Sequence, residues 1–174
     1  MKGPRPKVGI LMGSDSDLPV MSETARVLQE FGVPYEITVA SAHRSPARVE
    51  KYAVGAERRG IQVLIAGAGG AAHLAGVLAS LTTVPVIAVP LASSPLSGLD
   101  ALLASVQMPP GVPVAVTSIG SWGARNAGIL AVQILATADP LLKGRLQDHR
   151  KMMAADVERK ARKIESGWRV GGRK

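Results

Sequence analysis

The chain predicts a single α/β domain built on a parallel sheet, and three observations carry that prediction. Short apolar runs recur five times, each closed by small or turn-forming residues such as Gly, Ser, Asp and Pro. Between the runs lie segments whose apolar residues fall at helical spacing. The two types alternate without a break, as a sheet covered on both faces by crossover helices requires.

The elements follow in order. Val8-Gly9-Ile10-Leu11-Met12 reads as a strand buried on both faces, running into Gly13-Ser14-Asp15-Ser16-Asp17. Pro19 suits the first turn of a helix with Asp17 as its N-cap, and Gly32 stops it. Tyr35 to Val39 is the second strand, followed by the Ser41–Ser45 loop and a helix from Pro46 to about Arg59. Gln62 to Ala66 is the third, followed by Gly67-Ala68-Gly69-Gly70-Ala71-Ala72-His73 and a short helix ending near Ser80. Val84 to Val89 is the fourth, with a long loop and a helix from about Gly98 to Val106. Val112 to Val116 is the fifth, leading to the Ala-rich helix Ala124–Ala138, and a last helix occupies residues 139–165. Right-handed crossovers leave few topologies, and the favoured one is a flavodoxin-like three-layer sandwich with a parallel five-stranded sheet and an extra C-terminal helix. Residues 1–165 are expected to form one domain and 166–174 a disordered basic tail.

Composition narrows the class. Of 174 residues, 47% are hydrophobic but only 3% aromatic, so Ala, Val, Leu and Ile must build the core. The absence of cysteine removes disulfides, thiolate metal sites and a cysteine nucleophile together. The charged start is followed by too short an apolar run for a signal peptide, and no stretch approaches the ~20 residues of a membrane span. A cytoplasmic protein with no membrane partner is expected. The net charge of +8 is concentrated: residues 143–174 hold 11 of 21 Lys/Arg and 4 of 13 Asp/Glu, a net of +7 that leaves +1 elsewhere. That region has Trp168 as its one aromatic residue, so stacking on bases is poorly served and no nucleic-acid partner is expected. In Ala127–Ala136 only Gln133 is polar. A helix apolar all round needs cover all round, which implies a homo-oligomer.

In a parallel sheet the loops after strands one, two and three meet on one rim. The first, Gly13 to Asp17, offers backbone N–H groups, the hydroxyls of Ser14 and Ser16, and a helix N-terminus suited to phosphate. Asp17 could equally accept from a ribose hydroxyl, and a bland helix cap accounts for the same residues. The second places Ser41, His43 and Arg44 just before a helix. Arginine is the natural bidentate partner of phosphate, and histidine titrates near neutrality. The third is nearly free of side chains; Gly69 and Gly70 allow close approach of backbone to a planar ligand. His73 is open between a second proton donor and a structural role. No Gly-x-Gly-x-x-Gly follows the first strand, the three histidines lack metal-site spacing, and no Gly-x-Ser-x-Gly elbow occurs.

Met12-Gly13-Ser14-Asp15-Ser16-Asp17, Ser41-Ala42-His43-Arg44, Ala66-Gly67-Ala68-Gly69-Gly70-Ala71-Ala72-His73-Leu74 and Ser105 to Pro113 appear in one chain in this order. Together they resemble the N5-carboxyaminoimidazole ribonucleotide mutases, also called the catalytic subunit of phosphoribosylaminoimidazole carboxylase, over about residues 7–160. The resemblance implies a homo-octamer acting without metal or organic cofactor on a small imidazole ribonucleotide. It implies that Ser14, Asp17 and Arg44 bind the nucleotide and that His43 is the catalytic histidine, with Ser16 and Ser41 in the same loops. A second branch of the family carboxylates aminoimidazole ribonucleotide directly; it carries Lys after the His and Ala-Gly-Arg-Ser-Asn in the third loop. Arg44 and Ala66-Gly67-Ala68-Gly69-Gly70 favour the mutase branch. Ala75, where proline is usual, Leu18, where tryptophan is common, and Ala92–Gly98 depart from the pattern. A non-catalytic nucleotide-binding module and nucleic-acid binding through the tail are the remaining alternatives.

Overall fold

The computed structural model describes residues 4–168. Five parallel strands, β1 (Val8–Met12), β2 (Tyr35–Val39), β3 (Val63–Gly69), β4 (Val86–Leu91) and β5 (Ala115–Val116), lie in the order β2-β1-β3-β4-β5. This is the flavodoxin-like order the alternation implied. Alternate residues of each strand feed opposite cores. Val8, Ile10, Met12, Val63, Ile65, Ile87 and Val89 join α1 (Leu18–Glu30), α6 (Ser121–Ala136) and the start of α7 (Pro140–Gly167) on one face. Leu11, Leu64, Ala66, Val86 and Ala88 join α2 (Pro46–Val54), α3 (Ala56–Arg59) and α4 (Leu74–Leu81) on the other. All five residues of β1 are buried, as expected of a strand covered on both faces. Helix α5 (Leu99–Val106) packs beside β4 and β5.

The small-residue core brings α1 and α6 close enough for side chain to meet backbone. The buried Thr24 hydroxyl donates across that seam to the Ala124 carbonyl at 2.7 Å.

Several boundaries differ from expectation. The helix expected over 46–59 divides at Gly55. Strand β3 runs on through Gly69, because pairing with β4 (Gly69 opposite Leu91) uses only backbone. Strand β5 shrinks to two residues, since Pro113 has no N–H to give a ladder. Helix α6 is not bare on its outer side: α7 packs against it, and Ile129, Leu130 and Ile134 are partly buried against the core. The cover expected from a second subunit is thus supplied in part from within the chain. Helix α7 continues to Gly167 and is capped by Trp168, so Ser166 and Gly167 are helical, and residues 169–174 of the expected tail lie outside the described residues. Among the described residues no helix is long and apolar enough to cross a membrane.

Candidate active site

The carboxyl ends of β1, β2 and β3 open into one cavity of about 290 Å³. Its lining includes Gly13, Ser14, Ser16 and Asp17 from the first loop, Ser41 to Arg44 from the second, and Ala68, Gly69, Ala72, His73 and Leu74 from the third. Every expected site residue except Gly70 is therefore on its wall. Gly70 instead turns the chain at φ +58 in open space, a left-handed position that favours glycine. A larger hollow of about 480 Å³ lies between α1, α6 and α7, but it holds none of these residues.

The first loop is more self-contained than its sequence implied. It forms a short 3-10 turn, Asp15–Asp17, capped by Ser14. Asp17 does not cap α1 through its side chain; its carboxylate reaches back and accepts from the Ser14 N–H at 3.0 Å, closing a capping box. The Ser14 hydroxyl donates to Asp15 and accepts from the Ser16 hydroxyl at 2.9 Å. The N–H groups of Gly13, Ser14, Ser16 and Asp17 all have protein partners, so this loop is not a vacant phosphate cradle. Burial pushes the Asp17 carboxyl above its ordinary value, although the Ser14 N–H and the Arg44 guanidinium pull the other way.

The second loop is braced internally. Ser45 Oγ accepts from the Ser41 N–H at 3.0 Å and donates to the Ser41 carbonyl at 3.1 Å. Ser41 Oγ accepts from the Arg44 N–H at 3.2 Å, leaving its own proton free for a ligand. Arg44 Nη2 donates to the Gly13 carbonyl at 2.8 Å, which joins the first two loops. The exposed remainder of the guanidinium keeps donors available for an anion.

His43 meets His73 across the cavity, with Nε2 of the first 2.7 Å from Nδ1 of the second. The rings stand nearly perpendicular, at 77°, with centroids 4.9 Å apart. Sequence spacing of thirty residues concealed this pair; only the convergence of two strand ends produces it. Ser93, from the loop after β4, also lines the cavity and was absent from the expectations. Its hydroxyl stands so close to Gly69 that a Cβ there would lie 1.7 Å from it. The Ser105–Pro113 segment lies outside the cavity lining, with Met108 against Gly76 of α4.

The site thus combines a cation, a hydrogen-bonded pair of histidines, several hydroxyls and a wall of the small residues Ala68, Gly69 and Ala72. A model of the AIR carboxylase family matches residues 7–156. The N5-carboxyaminoimidazole ribonucleotide mutase of Pyrococcus horikoshii is 58% identical over 169 residues, covering 97% of this chain and 94% of that protein. The protein of the same name from Thermotoga maritima is 54% identical over 160 residues, covering 92% of each. The crystal structure of Treponema denticola PurE superposes with a TM-score of 0.79 at 27% identity, covering 95% of this chain and all of that one.

Proposed function

The chain belongs to the AIR carboxylase family, and on that premise we propose that it is an N5-carboxyaminoimidazole ribonucleotide mutase, an isomerase of de novo purine biosynthesis. It moves a carboxylate from the exocyclic amine of the nucleotide to the neighbouring ring carbon, giving 4-carboxy-5-aminoimidazole ribonucleotide. The observation that carries this reading is His43 beside Arg44 and a side-chain-poor wall, within a chain 58% identical to a mutase.

The geometry suits the chemistry. When the N–CO2 bond breaks, the electron pair stays on nitrogen, which takes a proton, and carbon dioxide is released. The ring carbon then attacks carbon dioxide and must lose its own proton to restore aromaticity. One proton is given and one taken, so His43 can serve as acid and then as base. Arg44 and the Ser41 hydroxyl anchor the phosphate, the Ser14 and Ser16 hydroxyls join them by turning away from their bonds within the first loop, and Asp17 accepts from the ribose. That remote binding holds the ring against His43. Ala68, Gly69 and Ala72 retain carbon dioxide beside the ring and keep water from it. No step needs a metal or organic cofactor.

The test is conversion of the N-carboxylated nucleotide in bicarbonate-free buffer, with His43→Asn as the companion variant. Turnover without bicarbonate and its loss in the variant are expected; an active His43→Asn enzyme would overturn the proton shuttle. The matched family's description favours one second reading, direct carboxylation of the aminoimidazole nucleotide. It predicts product only when carbon dioxide is supplied.

Assembly as a homo-octamer in the cytoplasm belongs to the same proposal. Helix α7 runs 28 residues yet fully buries only Leu142. Met153, Val157 and Ile164, spaced along one side of its outer half, are each about 60% exposed. A second copy of the chain is the apolar partner such a seam fits. Light scattering should give a single species near eight chains, and a monomer would refute it. The basic residues of this arm are read as solvating rather than nucleic-acid binding.

A further inference from the structure

We propose that His73 is a positioning residue for His43 and that the two imidazoles share one proton as a single acid–base pair. The proposal rests on the mutase reading above and deepens it. Three observations support it. The Nε2···Nδ1 separation of 2.7 Å is a short hydrogen bond, and a ring nitrogen can be donor or acceptor in it. His43 has no other hydrogen bond among the described residues, so its orientation depends on His73 while its Nδ1 stays free for the substrate. Finally, the backbone delivering His73 is strained and pinned. Ala72 sits at φ 46, a left-handed conformation costly for a residue with a Cβ, and both Ala72 and Leu74 are buried. A non-glycine residue held there aims the following side chain, His73, across the cavity.

The partner's chemistry matters. In the more common arrangement a carboxylate orients the catalytic ring, and its fixed negative charge holds the imidazolium. Among the described residues no carboxylate bonds either ring; the charged groups on the surrounding loops are Arg44, next to His43, and Asp15 and Asp17, both engaged within the first loop. An imidazole as partner, cationic with the bridging proton and neutral without it, lets that proton sit on either side.

The proton balance follows. At the start the pair carries one positive charge: His43 holds a proton on Nδ1, and His73 holds protons on both nitrogens. Breaking the N–CO2 bond leaves the electron pair on the substrate nitrogen, which takes the His43 Nδ1 proton. The bridging proton moves from His73 Nδ1 to His43 Nε2, so both rings are then neutral. His43 now presents a bare Nδ1. After the ring carbon has bonded to carbon dioxide, Nδ1 takes the proton from that carbon, and the bridging proton returns to His73. No imidazolate forms, and the tautomer of His43 is set correctly for each half of the reaction.

The test uses three His73 variants in the full-length protein, each checked for folding by circular dichroism. Asparagine can place an amide near the Nδ1 position, so His73→Asn should keep KM within about threefold of wild type. It cannot carry the shared charge, so kcat should fall on the order of 10²-fold, the lower end of general acid–base effects. His73→Phe should lose both orientation and rate. His73→Ala should recover part of its kcat when imidazole is added, which a purely structural role would not allow. Nitrogen-15 NMR of the wild type should show His43 protonated on Nδ1 while the pair carries its positive charge and on Nε2 once the pair is neutral, and that switch should be lost in His73→Phe. Wild-type kcat in His73→Asn, or an unchanged His43 tautomer in His73→Phe, would overturn the proposal. Should wild type show no bicarbonate-free turnover, the mutase reading fails, and the NMR comparison still decides whether the pair exists.

Discussion

Two adjacent glycines, Gly69 on the cavity wall and Gly70 just off it, should fail for different reasons when a methyl group is added. At Gly69 the new Cβ would lie 1.7 Å from Ser93 Oγ, 3.0 Å from Ser93 Cβ and 3.1 Å from the Leu91 carbonyl oxygen. The first contact drives Ser93 out of its present rotamer, at a cost that removing the hydroxyl would lift. The other two are shorter than the 3.5–4.0 Å optimum, so β4 must move by a few tenths of an ångström. Overpacking of this kind costs about 1–3 kcal/mol. For a domain of this size each kcal/mol lowers Tm by roughly 2–4 °C, so Gly69→Ala should melt about 2–12 °C early by calorimetry. It also thickens the wall meant to face the imidazole ring, so kcat/KM should fall as well. At Gly70 nothing lies within 4 Å, and the cost is the left-handed backbone alone, about 1–2 kcal/mol for alanine. Gly70→Asn should recover much of that, because asparagine tolerates this conformation, whereas Gly69→Asn should be worse than Gly69→Ala. Ser93→Ala in the Gly69→Ala background should return part of the stability, a coupling a double-mutant cycle reads directly. Unchanged Tm and kinetics in Gly69→Ala, or no coupling to Ser93, would refute the contact geometry on which the reasoning stands.

Arg44→Lys removes the group that bonds Gly13 and, in the proposed site, holds the phosphate; at about 1.5–3 kcal/mol for a charged hydrogen bond, KM should rise roughly 10- to 150-fold with a smaller change in kcat, measured by steady-state kinetics. Burial raises the folded-state pKa of Asp17, so the folded protein holds that proton more tightly than the unfolded chain, and stability is lost as pH rises from about 3.8 through the raised value. Asp17→Asn should flatten that loss in urea titrations run from pH 3 to 7 and be the more stable protein at pH 7, while binding nucleotide more weakly. Thr24→Val deletes the bond between α1 and the Ala124 carbonyl and should cost about 1 kcal/mol in the same unfolding assay, with kinetics unchanged.

Much of this was legible where side chains carry a pattern. The β1 and β2 spans and the rim on which Ser14, Asp17, Ser41, His43, Arg44 and His73 gather follow from apolar runs and parallel topology. Glycine and proline caused the errors. Gly67, Ala68 and Gly69 read as loop because they carry almost no side chain, yet a strand pairs through backbone, and β3 runs through all three. Pro85 and Pro113 sit inside apolar runs but cannot donate to a ladder, so β4 begins at Val86 and β5 at Ala115. Ser93 was invisible for another reason. Its Ser- and Pro-rich loop has no period, and only the pairing of β4 beside β3 carries it to the cavity. The His43–His73 distance is a tertiary quantity, and spacing along the chain says nothing of it.

The strand order also fixes when the site can exist during folding. Strand β1 bonds β2 on one side, but its other neighbour, β3, begins 55 residues away, with Val8 opposite Val63. Closing so long a loop is entropically costly, and chains dominated by such pairings fold slowly. On the ribosome, a nascent chain that has exposed only β1 and β2 carries His43 and Arg44 without a cavity to occupy. Neither histidine has its partner until β3 docks, so the chemistry switches on in one late step rather than growing with the chain.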